Sequence, residues 1–117
     1  MMRLLALALA LVLAACAAPS PTGQTSRGAQ VYQDKNCAAC HRIDSTGATS
    51  GPDLTHIGTI AASRRPDEDA ETYLRESIQD PGAYIVPGYP DTMNRGLANS
   101  LSKADLDALI SYLLTLK

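Results

Sequence analysis

The apolar positions of this chain fall into one unbroken run and several periodic stretches, and that division predicts most of its local structure. Toward the C-terminus Leu106, Leu109, Ile110, Leu113 and Leu114 recur at i, i+3, i+4, i+7 and i+8, the stripe of a helix that buries one face. Ser102-Lys103-Ala104-Asp105 precedes it and reads as a capping box with Asp in place of Glu. Tyr112 adds an aromatic near the end. A coiled-coil seam or a membrane anchor competes for such a stripe, but one helix of this length carrying two Asp and a Lys favours core packing. A second stripe, Ala70, Tyr73, Leu74 and Ile78, follows the acidic cluster Asp67-Glu68-Asp69-Glu71. Carboxylates suit the positive end of a helix dipole, and Asp80-Pro81 stops the pattern.

Shorter helices are predicted on either side of a polar loop at Arg42 to Ser50. One covers Arg27 to Asn36 with Ser26 as its cap, placing Val31 on a face with Arg27 and Lys35, and Gly28 on a face with Tyr32. Glycine inside a helix costs about 1 kcal/mol relative to Ala, so Gly28 suggests that another helix crosses closely there. The other runs from Thr55 to Ala62, behind a turn at Pro52. Asp80 to Asn94 holds Pro81, Gly82, Pro87, Gly88 and Pro90 and is expected to lack regular structure. No alternating or β-branched run of strand length interrupts this series, so the expected fold class is all-α.

The unbroken run lies at the N-terminus. Twelve apolar residues, Leu4 to Ala15, follow Arg3, too few to cross a bilayer but suited to the hydrophobic region of an export signal. Leu13-Ala14-Ala15-Cys16 resembles a bacterial lipobox, in which Cys16 becomes the acylated first residue. The competing reading is an Ala-x-Ala cleavage site at Ala15-Cys16-Ala17, which would discard Cys16. Lipidation is the reading adopted, since it also accounts for the odd third cysteine. Residues 17 to 26 carry no charge and no large apolar side chain, as in a flexible tether. The expected organisation is therefore 1–15 export signal, 16–26 lipidated N-terminus and tether, and 27–117 folded domain. This places the domain at the periplasmic or extracytoplasmic face of a bacterial membrane, held by lipid.

At 117 residues without Phe or Trp, and with five Tyr, one small domain has little aromatic bulk for a core. A buried flat apolar group would supply it. The formal charge is −2, and losing Arg3 with a leader leaves 9 basic against 12 acidic side chains. Such a balance excludes a polybasic, nucleic-acid-binding surface.

The chemistry concentrates in Cys37-Ala38-Ala39-Cys40-His41. Two thiols flanking two small residues, with an imidazole next, are what covalent haem attachment requires: each sulfur adds across a vinyl group and His41 reaches the iron. Structural zinc would need a second pair of ligands, and only His56 is left to offer one. Dithiol redox chemistry would want a βαβ pattern, which is absent. A sixth iron ligand is available in Met93, which is the only Met outside the leader and ends a loop stiffened by prolines; core filler is the ordinary role of a lone Met. His56 is the rival ligand. Pro52, in Gly51-Pro52-Asp53-Leu54, leaves neighbouring carbonyls free to orient an imidazole, and Leu54 offers an apolar wall. An ordinary Pro turn explains the same residues. Arg64 or Arg65 could meet a propionate, with surface exposure as the default.

From about Gly28 onward these motifs, in this order, resemble a bacterial class I monohaem cytochrome c of lipoprotein type. Gly51-Pro52-Asp53-Leu54-Thr55-His56-Ile57-Gly58 is especially similar to cytochrome c domains of haem–copper oxidase subunit II. The resemblance implies three to five short helices around one covalently bound haem c, with the first and last helices crossing near Gly28, Tyr32, Leu109 and Tyr112. It implies His41 as proximal ligand, oriented by the Pro52 carbonyl, and Met93 as distal ligand. Asn94 stands where the family commonly has Pro after the ligand Met. No copper domain or transmembrane helix accompanies the motifs, so the chain is not expected to be such a subunit itself. The function expected is one-electron transfer between membrane respiratory or photosynthetic complexes or to a terminal oxidase, by a monomer that is not itself a catalyst. Docking is expected through the haem edge near Ala38, Ala39 and Gly88-Tyr89-Pro90. The alternative is a ligand sensor or small catalytic haem protein in which Met93 dissociates.

Overall fold

The first helix starts where a serine can hold its free N–H groups. The computed structural model describes residues 20–117; the expected export signal and the lipidation expected at Cys16 lie outside them. Helix α1 spans Pro21–Asp34, with Ser20 Oγ accepting from Gly23 N at 3.2 Å and proline in its first turn. This corrects the start expected at Arg27 with Ser26 as cap, and with it the tether expected to run to Ser26. Ser20-Pro21 supplies both a side-chain acceptor and a preset φ, and Thr25 Oγ1 donates to the Pro21 carbonyl at 2.9 Å. A segment without apolar bulk can be helical without burying anything, and hydrophobic periodicity does not register it.

Helix α2 is a single turn, Ile57–Ile60, continued by the 3-10 turn Ala61–Ser63. Helix α3 spans Ala70–Gln79, with the Asp69 carboxylate accepting from Thr72 N at 2.7 Å. Helix α4 spans Lys103–Leu113, with Ser102 Oγ accepting from Asp105 N at 3.0 Å. Among the described residues there are four α-helices and no strand, only a single bridge between Ile43 and Thr46. The all-α class is as expected.

Helices α1 and α4 cross at Gly28. A Cβ there would lie 2.0 Å from the Ala108 carbonyl oxygen and 2.5 Å from Tyr112 Cβ, so only glycine lets the two backbones meet. Beside the crossing Arg27 pairs with Asp105 at 2.8 Å, and Tyr32 meets Tyr112 edge to face with centroids 6.1 Å apart. Gly58 serves a second close approach: its N–H donates to the Leu116 carbonyl at 2.7 Å. Val31, Ile57, Ala61, Tyr73, Leu74, Ile78, Leu106, Leu109, Ile110 and Leu113 are all buried in one core, as the two apolar stripes require. Arg75 on α3 reaches Asp107 on α4 at 2.8 Å and ties the outer edges together.

Candidate functional site

Helix α1 ends at the Lys35 cap, and Asn36 then takes a left-handed conformation, φ 55°. Asparagine tolerates that region better than most residues. The reversal leads into the 3-10 turn Cys37–Ala39, closed by Cys40 N and His41 N donating to the Cys37 carbonyl at 3.1 and 2.9 Å. Both sulfurs lie on the wall of one cavity, Cys37 half-buried and Cys40 exposed.

His41 lines the same cavity. Its Nδ1 stands 2.7 Å from the Pro52 carbonyl oxygen. A carbonyl can only accept, so Nδ1 carries the proton and the lone pair of Nε2 is left for a metal. Gly51 makes the approach possible, since a Cβ there would stand 2.9 Å from His41 Cε1. The turn is fastened on both sides, by Gly51 N to the Cys40 carbonyl and Leu54 N to the Arg42 carbonyl, each at 2.8 Å. Tyr32 donates its O–H to the His41 carbonyl at 3.0 Å, and burial pushes that hydroxyl up to about 12.

Another wall of the cavity comes from the loop after α3. Pro81, Tyr84, Val86, Tyr89, Met93 and Asn94 all line it. Tyr89 N donates to the Val86 carbonyl at 3.1 Å around Gly88, whose φ of +92° suits glycine. Asn94 closes the next turn, Oδ1 accepting from Gly96 N at 2.8 Å. Arg95 pairs with Asp91 and lies against Gly82, so the loop's two ends are joined. His56 is exposed and does not line the cavity.

The cavity measures about 310 Å³, within the range of whole small-molecule sites. Leu54, Ile57, Leu74, Ile78, Leu109 and Leu113 give it apolar walls. No group of three or more His, Cys, Asp or Glu able to hold a bare metal ion occurs among the described residues. The donors are instead two thiols, one imidazole and one thioether around a greasy slot, which fits a flat apolar macrocycle that brings its own metal and is fixed through sulfur. Arg64 reaches the cavity, while Arg65 turns away to Glu68 and Glu76 and stacks on Tyr84, 5.7 Å from the ring centroid. Tyr32 and Tyr73 were legible only as helix-face positions, and contacts between distant segments make them cavity lining; of the two arginines named for a propionate, Arg64 is the one that lines the cavity.

The family model for cytochrome c matches residues 25–117. The chain belongs to the cytochrome c family. With a single Cys-x-x-Cys-His motif it is a class I monohaem cytochrome carrying covalent haem c, and its role is that of a haem electron carrier. It is 31% identical over 103 residues to cytochrome c-552 of Nitrosomonas europaea, covering 88% of this chain and 91% of that protein. It is 32% identical over 96 residues to cytochrome c oxidase subunit 2 of Alkalihalophilus pseudofirmus, covering 79% of this cytochrome and 25% of the oxidase polypeptide. The cytochrome thus spans only a quarter of that second relative. Among its described residues no helix is long and apolar enough to cross a membrane.

Proposed function

We propose that this cytochrome is an exported, lipid-anchored, one-electron shuttle with His41 and Met93 as the axial ligands of its iron. In this reading Cys37 and Cys40 hold the haem through thioethers, Pro52 and Leu54 form its surroundings, and Cys16 carries the lipid. The observation that carries it is the 2.7 Å contact of His41 Nδ1 with the Pro52 carbonyl on a cavity that Met93 also lines. When bound, the haem supplies a one-electron iron couple.

The chain's own residues do the rest. His41 keeps its proton at Nδ1 and so offers Nε2 in a fixed orientation. Met93 offers a thioether, which favours reduced iron relative to a second imidazole. Leu74, Leu109 and Leu113 keep water from the slot. With His41 and Met93 both given to the iron, no position would be left for a substrate, and the protein would act as a carrier and not as a catalyst.

Docking to redox partners takes place through Ala38, Ala39 and the Gly88-Tyr89-Pro90 turn, two short segments that themselves carry no charged side chain. A membrane electron-transport complex or terminal oxidase is the partner class, in keeping with the name of the oxidase relative. The protein acts as a monomer at the outer face of a bacterial membrane.

The test is the visible spectrum of the ferric protein and of Met93→Ala. The wild type should show the long-wavelength band of sulfur-ligated iron and the variant should lose it. An unaltered band would refute the ligand assignment.

A further inference from the structure

We propose that the Arg42–Asp53 pair is a positioning device for the hydrogen bond between His41 and Pro52, and through it sets the reduction potential. The proposal rests on His41 being the proximal ligand. Pro52 has no N–H, so nothing on its own backbone nitrogen can fasten it. Its neighbours do so instead. Arg42, next to His41, donates from Nε and Nη2 to Asp53 Oδ2 at 2.8 and 2.6 Å. Asp53, next to Pro52, accepts through its other oxygen from Thr55 N at 2.7 Å. Thr55 Oγ1 in turn accepts from Asp44 N at 2.8 Å. Together with the backbone bonds from Gly51 and Leu54, these contacts pin the turn that bears Pro52 to the residues on each side of His41.

A partner on the far nitrogen of a ligand imidazole makes that ligand more electron-rich, which favours ferric iron and lowers the potential. Arg42 and Asp53 are both partly exposed, with 44% and 37% of their side-chain surface open, and an exposed ion pair stabilises a fold little. The consequence of the pair therefore lies in where it holds the Pro52 carbonyl. Loosening it lengthens the Nδ1–H contact and favours reduced iron.

Charge and position make opposite forecasts for Arg42→Gln and different ones for the double variant, which renders the idea testable on the holoprotein. If only the local field mattered, Asp53→Asn would raise the midpoint potential, Arg42→Gln would lower it, and the double variant would return near the starting value. If position matters, both single variants raise the midpoint, and the double variant rises no further than either. The rise expected is a threefold to tenfold change in the ferrous to ferric ratio at a fixed potential, tenfold being about 59 mV for one electron. Arg42→Lys keeps the charge but loses the paired donors and should fall between; it also carries the test should Asp53→Asn fail to mature.

The second readout is proton magnetic resonance of the ferric protein. The hyperfine-shifted Nδ1 proton of His41 should exchange with water faster in each variant. Absence of any shifted imidazole resonance in the wild type would sink the ligand assignment itself. Shifted resonances with opposite or vanishing potential changes would overturn this proposal alone.

Discussion

Replacing Gly28 with Ala should lower the melting temperature of the holoprotein by about 8–16 °C, and the size of that drop follows from the helix crossing. The added Cβ would sit 2.0 Å from the Ala108 carbonyl oxygen and 2.5 Å from Tyr112 Cβ. Backbone cannot rotate out of the way, so α1 and α4 must separate and the core beneath them must loosen. Overpacking of this kind costs about 1–3 kcal/mol, and contact with a main-chain atom puts Gly28 at the upper end. Alanine returns about 1 kcal/mol through its better helix propensity, leaving a net loss of about 2 kcal/mol. For a domain of about a hundred residues each kcal/mol shifts the midpoint by roughly 4–8 °C. Thermal unfolding followed by circular dichroism and by haem absorbance measures it. Adding Tyr112→Ala should not restore stability, because the Ala108 carbonyl remains. A Gly28→Ala protein that melts at or above the wild-type temperature would show that the helices do not meet as described.

Gly51→Ala should drive the His41 ring off its place, since the new Cβ would stand 2.9 Å from Cε1 and 3.1 Å from Nδ1; a loss of low-spin absorbance or of haem incorporation is expected, and a normal spectrum would contradict the packing. Tyr32→Phe leaves the His41 carbonyl without the bond at 3.0 Å and should cost about 1 kcal/mol in denaturant titration, with the axial ligands retained. Asp53 contributes to acid stability: hydrogen bonds from Thr55, then from Arg42, hold its carboxyl well below the ordinary value of 3.8. A depressed carboxylate stabilises the fold above its unfolded value, and that contribution fades as the pH falls from there toward the folded one. Asp53→Asn should therefore flatten the loss of stability below about pH 4, and an unchanged acid profile would count against the Thr55 and Arg42 contacts.

What could be read in advance was what neighbouring residues specify. The stripes of Leu106 to Leu113 and Tyr73 to Ile78 place α4 and α3 because burial of one helical face repeats every three or four residues. Asp80-Pro81 stops α3 because proline bars its predecessor from helical torsion angles. The start of α1 differs from the expected Arg27 for the converse reason: Ser20-Pro21 is a good cap, but the turns after it bury no large apolar side chain, so no periodicity marks them. Cys37, Cys40 and His41 form a local motif, and the small residues between the thiols leave the turn free to close. Tyr32 to His41, Arg64 in the cavity wall and Arg42 to Asp53 depend on how separate loops meet, which spacing along the chain does not encode. Gly28 lies between these cases, since its cost within a helix signalled a crossing while its partner became evident only with Ala108 beneath it.

In the proposed carrier His41 and Met93 are both held by the iron, which leaves a small gas nothing to bind. Mixing the reduced protein with carbon monoxide at neutral pH probes this. The spectrum should remain that of the unliganded ferrous protein, with binding appearing in Met93→Ala. Rapid binding by the wild type would contradict the claim and mark Met93 as a ligand that leaves to admit another.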